Sequence, residues 1–248
     1  MPNTAMQNRQ LKRILLSVEK PGRYSGGEFG MAPLKKDAAL HVAVSYPDLY
    51  EIGMSNLAIQ ILYSRLNAVK DVYCERVFTP APDFAAGLTK ASLPLFSLET
   101  GRPLKDFDLL GFSIGYELII TNVLSMLSLS GIPLSWKDRG ESDPLIVAGG
   151  PAVINPLPFS RFFDAIYIGE AEDEFPQICA DLAQIRRDGG KREDLLRHIR
   201  ASSHFFHQGK REKTSRKVWE CFGKDPDEPE TVFPVPISKL CRTMVLSR

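Results

Sequence analysis

The chain has 248 residues, 44% of them hydrophobic and 25% charged, and its formal net charge is +1. That length and balance suit one substantial core with appendages. They argue against a largely disordered chain and against a global charge bias toward nucleic acid or anionic membrane. The longest apolar-rich stretch, Leu118 to Leu134, contains Thr121, Asn122 and three serines, so nothing reads as a membrane span.

Met1 to Gln10 is polar and lacks the apolar centre of a secretory signal. Leu11, Ile14, Leu15 and Val18 have helical spacing. Pro21 to Gly30 (PGRYSGGEFG) breaks that helix. Its amides offer one way to wrap a phosphate, but it follows a helix rather than a strand, which favours a structural loop. The α/β pattern then begins. Leu40–Ser45 reads as a strand ending on Tyr46-Pro47-Asp48. A helix follows over 55–69 with Ser55 or Asn56 as its cap. Val72–Phe78 is a strand, and Pro82-Asp83 starts a short helix. Leu93–Leu98 is extended, Asp108–Ile114 is a buried strand, and Leu118–Leu129 is a helix stopped by Gly131 and Pro133. Strands at 145–148 and 165–168 come next. The helix expected from Ala171 to Arg187 has acids in its first turn and arginines in its last, which suits the backbone dipole.

Short, nearly continuous apolar runs alternating with helices predict a parallel five-stranded α/β sheet covered on both faces. A Rossmann-like, flavodoxin-like order with the 40–45 strand central is expected. Residues 1–37 form a tail, helix and glycine-rich loop, 38–190 form the sheet domain, and 191–248 form an extension. The extension holds a helix over 191–200, a basic stretch, an acidic proline-broken run at 225–230 (DPDEPE) and an extended piece at 233–240.

In open α/β sheets ligands bind beyond the carboxyl ends of the strands. Those ends bring forward Asp48 and Tyr50 from the first strand, then Ser113, Tyr116 and Glu117. They also bring Gly149, Gly150 and Pro151, and finally Gly169 and Glu170. Glycines there admit a flat ligand or another backbone, and each also has a plainer reading as a tight strand-to-helix turn. No nucleophile elbow and no Walker-type phosphate loop is present. His204 and His207 lack a third ligand and read as exposed residues. Cys74, Cys179, Cys221 and Cys241 form no CxxC pair, so zinc and a local disulfide framework are not indicated. The cysteines read as small buried hydrophobes, and a reduced cytoplasmic setting is expected. From Arg186 to Lys217 eleven Lys/Arg face four acids. A solvated helix face and a charged linker explain this stretch more simply than an RNA contact, since few aromatics are interleaved.

Several segments carry a resemblance: PGRYSGGEFG, VAVSYPDLYEIGMSNLAIQILYSRLN, FDLLGFSIGYELIITNVLSML and PLIVAGGPAVINPLPFSRFFDAIYIGEAED. Together they resemble the N-terminal, cobalamin-binding-like region of an uncharacterised family of radical S-adenosylmethionine proteins. The likeness runs from about Leu11 to Leu240. The resemblance implies a partner, the radical catalytic domain, which carries the iron–sulfur cluster and S-adenosylmethionine through CxxxCxxC. This sequence has no such motif, so the chain alone is not expected to catalyse radical chemistry, and a truncated or frame-shifted product is expected. Cobalamin is the implied cofactor. The usual DxHxxG aligns with Asp48-Leu49-Tyr50-Glu51-Ile52-Gly53, so a phenol stands where the lower-ligand histidine would be, and binding without a protein imidazole is expected. Two other readings stay open: a nucleotide- or flavin-binding module on the same rim, and an RNA- or protein-contacting module on the basic stretch.

Overall fold

The computed structural model describes residues 8–210 and 213–218. Its centre is a six-stranded sheet in the order β2-β1-β3-β4-β5-β6. The strands are β1 (Leu40–Ser45), β2 (Val72–Arg76), β3 (Leu109–Ser113), β4 (Leu145–Gly149), β5 (Ala165–Tyr167) and β6 (Phe205–Phe206). The first five are parallel, and β6 pairs antiparallel with β5. The 2-1-3-4-5 order is the flavodoxin-like one, with its switch point between β1 and β3. β1 is an interior strand as expected, although β3 lies nearer the middle.

The five parallel strands are those expected, and a sixth, antiparallel strand, β6, is added to them. β6 falls in the stretch read as basic and polar, and two residues are too few to give a strand period. Phe205 is nonetheless fully buried, with its ring 5.0 Å from that of Tyr167. The packed unit therefore runs past Gly190 to β6.

Helices cover both faces because alternate strand residues point to opposite sides. One face carries Val42, Val44, Leu109, Leu145, Val147 and Tyr167. It is covered by α3 (Leu57–Ala68), α6 (Glu174–Arg187) and α7 (Arg192–Ala201). α6 buries Phe175, Ile178, Cys179, Leu182 and Ala183, which is one stripe of a 3.6-residue period. The other face carries Leu110, Phe112, Ile146 and Ile166 under α1 (Arg9–Leu15), α4 (Pro82–Ala91) and α5 (Ile120–Leu129). α3 is capped by Asn56, whose side chain accepts from Ile59 N at 3.2 Å. α6 starts three residues later than the sequence suggests, leaving Ala171–Asp173 as a lead-in loop. A one-and-a-half-turn helix α2 (Tyr50–Ser55) was not anticipated.

Among the described residues no helix is long and apolar enough to cross a membrane. The acidic run at 225–230, the extended piece at 233–240, Cys221 and Cys241 lie outside the described residues.

Candidate functional site

All five parallel strands end on the same edge of the sheet, so Asp48, Ser113, Gly149 and Gly169 share one rim. Beneath it, between α3 and α6, a groove of about 420 Å³ opens on the sheet face. That volume lies in the range of small-molecule sites. Register explains its floor. Gly111 sits between Val44 and Val147, and Ser113 is paired with Gly149. Two glycines and a serine thus occupy positions where neighbouring strand residues carry large side chains. Ile59 and Leu62 of α3 and Phe175 of α6 form the walls.

The glycines divide into two kinds. A Cβ on Gly150 would stand 2.7 Å from Ile114 O, and φ there is +105°. A Cβ on Gly169 would stand 2.2 Å from Lys217 O, with φ +130°. The protein's own backbone demands both glycines. A Cβ on Gly53 would enter the Phe78 ring. Gly111 and Gly149 differ: their Cβ atoms would meet nothing closer than 3.8 Å and 3.9 Å respectively, and neither has a positive φ. Neither packing nor backbone conformation requires glycine there. Each missing side chain leaves room in the groove.

The sequence-predicted residues separate accordingly. Ser113, Gly149, Gly150, Pro151, Gly169 and Glu170 line the groove. Asp48 and Tyr116 stand on the rim above the β1/β3 switch point. There the Tyr116 hydroxyl donates to Asp48 Oδ2 at 3.1 Å, which raises the phenol pKa. Glu117 is exposed at the start of the turn into α5. Tyr50 and Gly53 do not reach the groove. Tyr50 is 2% exposed in a separate cluster with Met54, Phe78 and Leu98. Its hydroxyl donates to Glu28 Oε1 at 3.0 Å. The residue aligned with a lower-ligand histidine thus faces the glycine-rich loop. Glu28 of that loop lies 3.8 Å from the buried Arg76, whose Nε donates to Glu99 Oε1 at 2.6 Å. The loop is pinned by this buried charge group and serves structure.

Gly111, Tyr167, Glu172 and Arg216 were missed. A glycine inside an apolar run gives no sequence signal of its own until strand pairing shows what lies above it. Tyr167 donates to Glu174 Oε2 at 2.8 Å and to Glu170 O at 3.1 Å. Burial first, and Glu174 second, raise its pKa, so it stays a neutral donor. Glu172 Oε2 is buried with no hydrogen-bond partner among the described residues. Arg216 arrives from the segment 213–218, which lies along the end of β5: Lys217 N donates to Ile168 O at 2.9 Å and Glu170 N to Lys217 O at 3.1 Å.

The basic stretch is largely committed to partners inside the protein. Arg186 pairs with Asp108, Arg187 with Asp71, Arg192 with Asp164, Arg216 with Glu170 and Lys217 with Asp173. The Arg200 guanidinium lies 5.0 Å from the centre of the Trp136 ring. Asp164, which falls within the segment PLIVAGGPAVINPLPFSRFFDAIYIGEAED, is at the opposite end of β5, where it accepts from Arg139 at 2.9 Å and Arg192 at 2.7 Å. Its role is structural. Cys74 and Cys179 are buried free thiols, and burial raises both pKa values. Among the described residues no group of three or more His, Cys, Asp or Glu is placed to hold a metal ion.

The sequence model described as "Radical SAM proteins, N-terminal" matches residues 58–207, more than half of the chain. The chain belongs to that family. The match begins in α3 and ends one residue after β6, so it spans the whole groove floor except β1. An uncharacterized protein of Methanocaldococcus jannaschii is 27% identical over 135 residues, which are 53% of this chain and 24% of that protein. The chain thus spans about a quarter of the length of this curated relative. No solved structure matches the chain.

Proposed function

We propose that this radical SAM N-terminal domain binds a corrinoid, with the nucleotide tail seated in the groove beneath the rim. The observation that carries the reading is the pair Gly111 and Gly149, two strand glycines that the fold does not demand and whose missing side chains leave the groove open. The chemistry of the lining suits such a tail. The walls are apolar, for a flat heterocycle. The Ser113 hydroxyl, which has no partner among the described residues, is a donor on the floor. Glu172 brings an acceptor for amide N–H groups. When bound, a corrinoid supplies a carrier for a methyl group. The residues of this chain bind and orient it, and they keep its tail from water.

Among the described residues no histidine lines the groove, and Tyr50 is turned away. These residues would hold a corrinoid's tail without offering it an imidazole. A base seated between α3 and α6 is also unavailable to the metal, so a bound alkyl corrinoid should have its base displaced. The test is titration of the 248-residue chain with methylcobalamin, read by visible spectroscopy and by retention on gel filtration. A colour change from red to yellow on binding is expected, and Gly111→Val and Gly149→Val should abolish it without lowering the melting temperature. No retention, or retention without the colour change, defeats the reading.

The rim also suits a partner. Leu57 at the start of α3, Leu118 after β3 and Ile154 after β4 are exposed on the segments that follow the carboxyl ends of the strands. Exposed apolar residues gathered in one region mark interaction surfaces. A radical SAM catalytic domain following this one in the parent protein is the partner proposed for that rim. The flavin alternative uses the same end of the sheet, and a flavin retained through purification would favour it. The RNA alternative is disfavoured, because most of the basic side chains already have partners.

A further inference from the structure

We propose that Arg216 is a specificity-determining residue of the groove, carried there by the segment 213–218 to read an anionic group, a phosphodiester, on the ligand's tail. The inference rests on the corrinoid reading of the groove and names which part of that ligand the chain's own cation selects.

Gly169 fixes where the segment lies. Its Cβ is excluded by the Lys217 backbone, with O, N and Cα at 2.2, 2.5 and 2.8 Å. The glycine at the end of β5 is thus a seat for the segment and not a ligand contact. Two main-chain hydrogen bonds, from Lys217 N and from Glu170 N, hold the segment on this seat. Ser215 N adds a third, to Ser203 O at 3.0 Å. Backbone pairing places Arg216 at the groove mouth whatever its side chain does.

The side chain is held loosely. It is 64% exposed and lies 3.7 Å from Glu170 Oε1, an exposed pair of the kind that contributes little. It can exchange that contact for a ligand oxygen at small cost. Two carboxylates, Glu170 and Glu172, line the groove beside it, and Glu172 Oε2 has no hydrogen-bond partner among the described residues, while other charges at the mouth are engaged elsewhere. Lys217 lies 3.5 Å from Asp173, and Glu174 accepts from Tyr167. Arg216 is the arginine that lines the groove. A guanidinium offers a phosphodiester two parallel donors. The groove is apolar on its walls and carries this cation at its mouth. It thus matches a heterocycle joined through a sugar to a phosphate, and it distinguishes that ligand from one lacking the phosphate.

The test uses the 248-residue chain with methylcobalamin and with methylcobinamide, which has the corrin ring but no base, ribose or nucleotide phosphodiester. Equilibrium dialysis measures both affinities. Arg216→Ala and Arg216→Gln should weaken methylcobalamin by about tenfold or more, the scale of a lost charge-assisted hydrogen bond, and leave methylcobinamide unchanged. Arg216→Lys should recover part of the loss. Raising salt from about 50 to about 500 mM should erode the wild-type preference for methylcobalamin and leave the Ala variant insensitive. Gly169→Ala, which unseats the segment, should mimic Arg216→Ala. If Arg216→Ala binds methylcobalamin as wild type does, the role of Arg216 is overturned while the corrinoid reading stands. Equal losses for both corrinoids also overturn it. If wild type retains neither corrinoid, the corrinoid reading itself fails.

Discussion

Arg192, the first residue of α7, reaches back to Asp164 at the amino end of β5, where its Nη2 donates to Oδ1 at 2.7 Å. Arg139 donates to the other oxygen at 2.9 Å, and Ile146 N to the same oxygen at 2.8 Å. All three side chains are buried. Removing the carboxylate strands two guanidiniums, and breaking a buried pair in this way costs about 3–5 kcal/mol. Asp164→Ala should therefore lower stability by about that amount, and Arg192→Ala by less, because Arg139 remains. Urea midpoints with unchanged m-values check this, and an Asp164→Ala midpoint equal to wild type would contradict it.

Gly111 and Gly149 lie in strands where glycine costs conformational entropy, about 0.5–1 kcal/mol relative to alanine. Their Cβ positions are open. Gly111→Ala and Gly149→Ala should therefore hold or raise the melting temperature while weakening methylcobalamin retention. Stability and binding should move in opposite directions. A loss of both together would mean that these glycines serve the fold.

Burial holds the Glu28 carboxyl above its ordinary value of 4.5, against the pull of Arg76, while Glu99 adds to the rise and the Tyr50 hydroxyl opposes it. The folded protein thus binds this proton more tightly than the unfolded chain does. The contribution of Glu28 to stability declines as pH rises from 4.5 through the folded value, and its full cost is present above that. Glu28→Gln keeps a neutral group there at every pH. The stability of the Gln variant relative to wild type should grow as pH is raised from 4.5 to neutrality. Denaturant midpoints across that range test the sign. A constant or shrinking difference contradicts it. Glu75 has the same direction of shift for the same leading cause, and it is common to both proteins.

Tyr50→Phe should cost about 1 kcal/mol through the lost bond to Glu28, and should leave corrinoid affinity and spectrum unchanged. A visible-spectrum change in this variant would mean that the phenol reaches the cofactor after all.

The layered α/β architecture and the shared rim were legible because apolar runs and glycine stops report strand burial directly. Residue roles were less so. Gly149 was visible as a strand-ending glycine, but its partner Gly111 became meaningful only through its register with Val44 and Val147. Tyr50 was drawn into the site by motif spacing, yet α2 turns it inward. Asp164 lies in the segment between the groove residues Gly149–Pro151 and Gly169, yet it stands at the opposite end of β5 because that segment crosses the whole strand. β6 and Arg216 went unseen for one reason: each is placed by backbone pairing with β5 or with the residues just beyond it, a long-range contact that a short polar segment does not advertise.

Among the described residues, the two-residue β6 also finishes the sheet. A parallel sheet stopping at β5 would leave that strand as an unguarded template for a neighbouring chain. A reversed strand of two residues, with Phe205 buried and Lys210 Nζ donating to its carbonyl at 2.7 Å, leaves almost nothing for an incoming strand to extend. Polymerisation along this side of the molecule is discouraged, and encounters between copies are left to the loops at the open end of the strands.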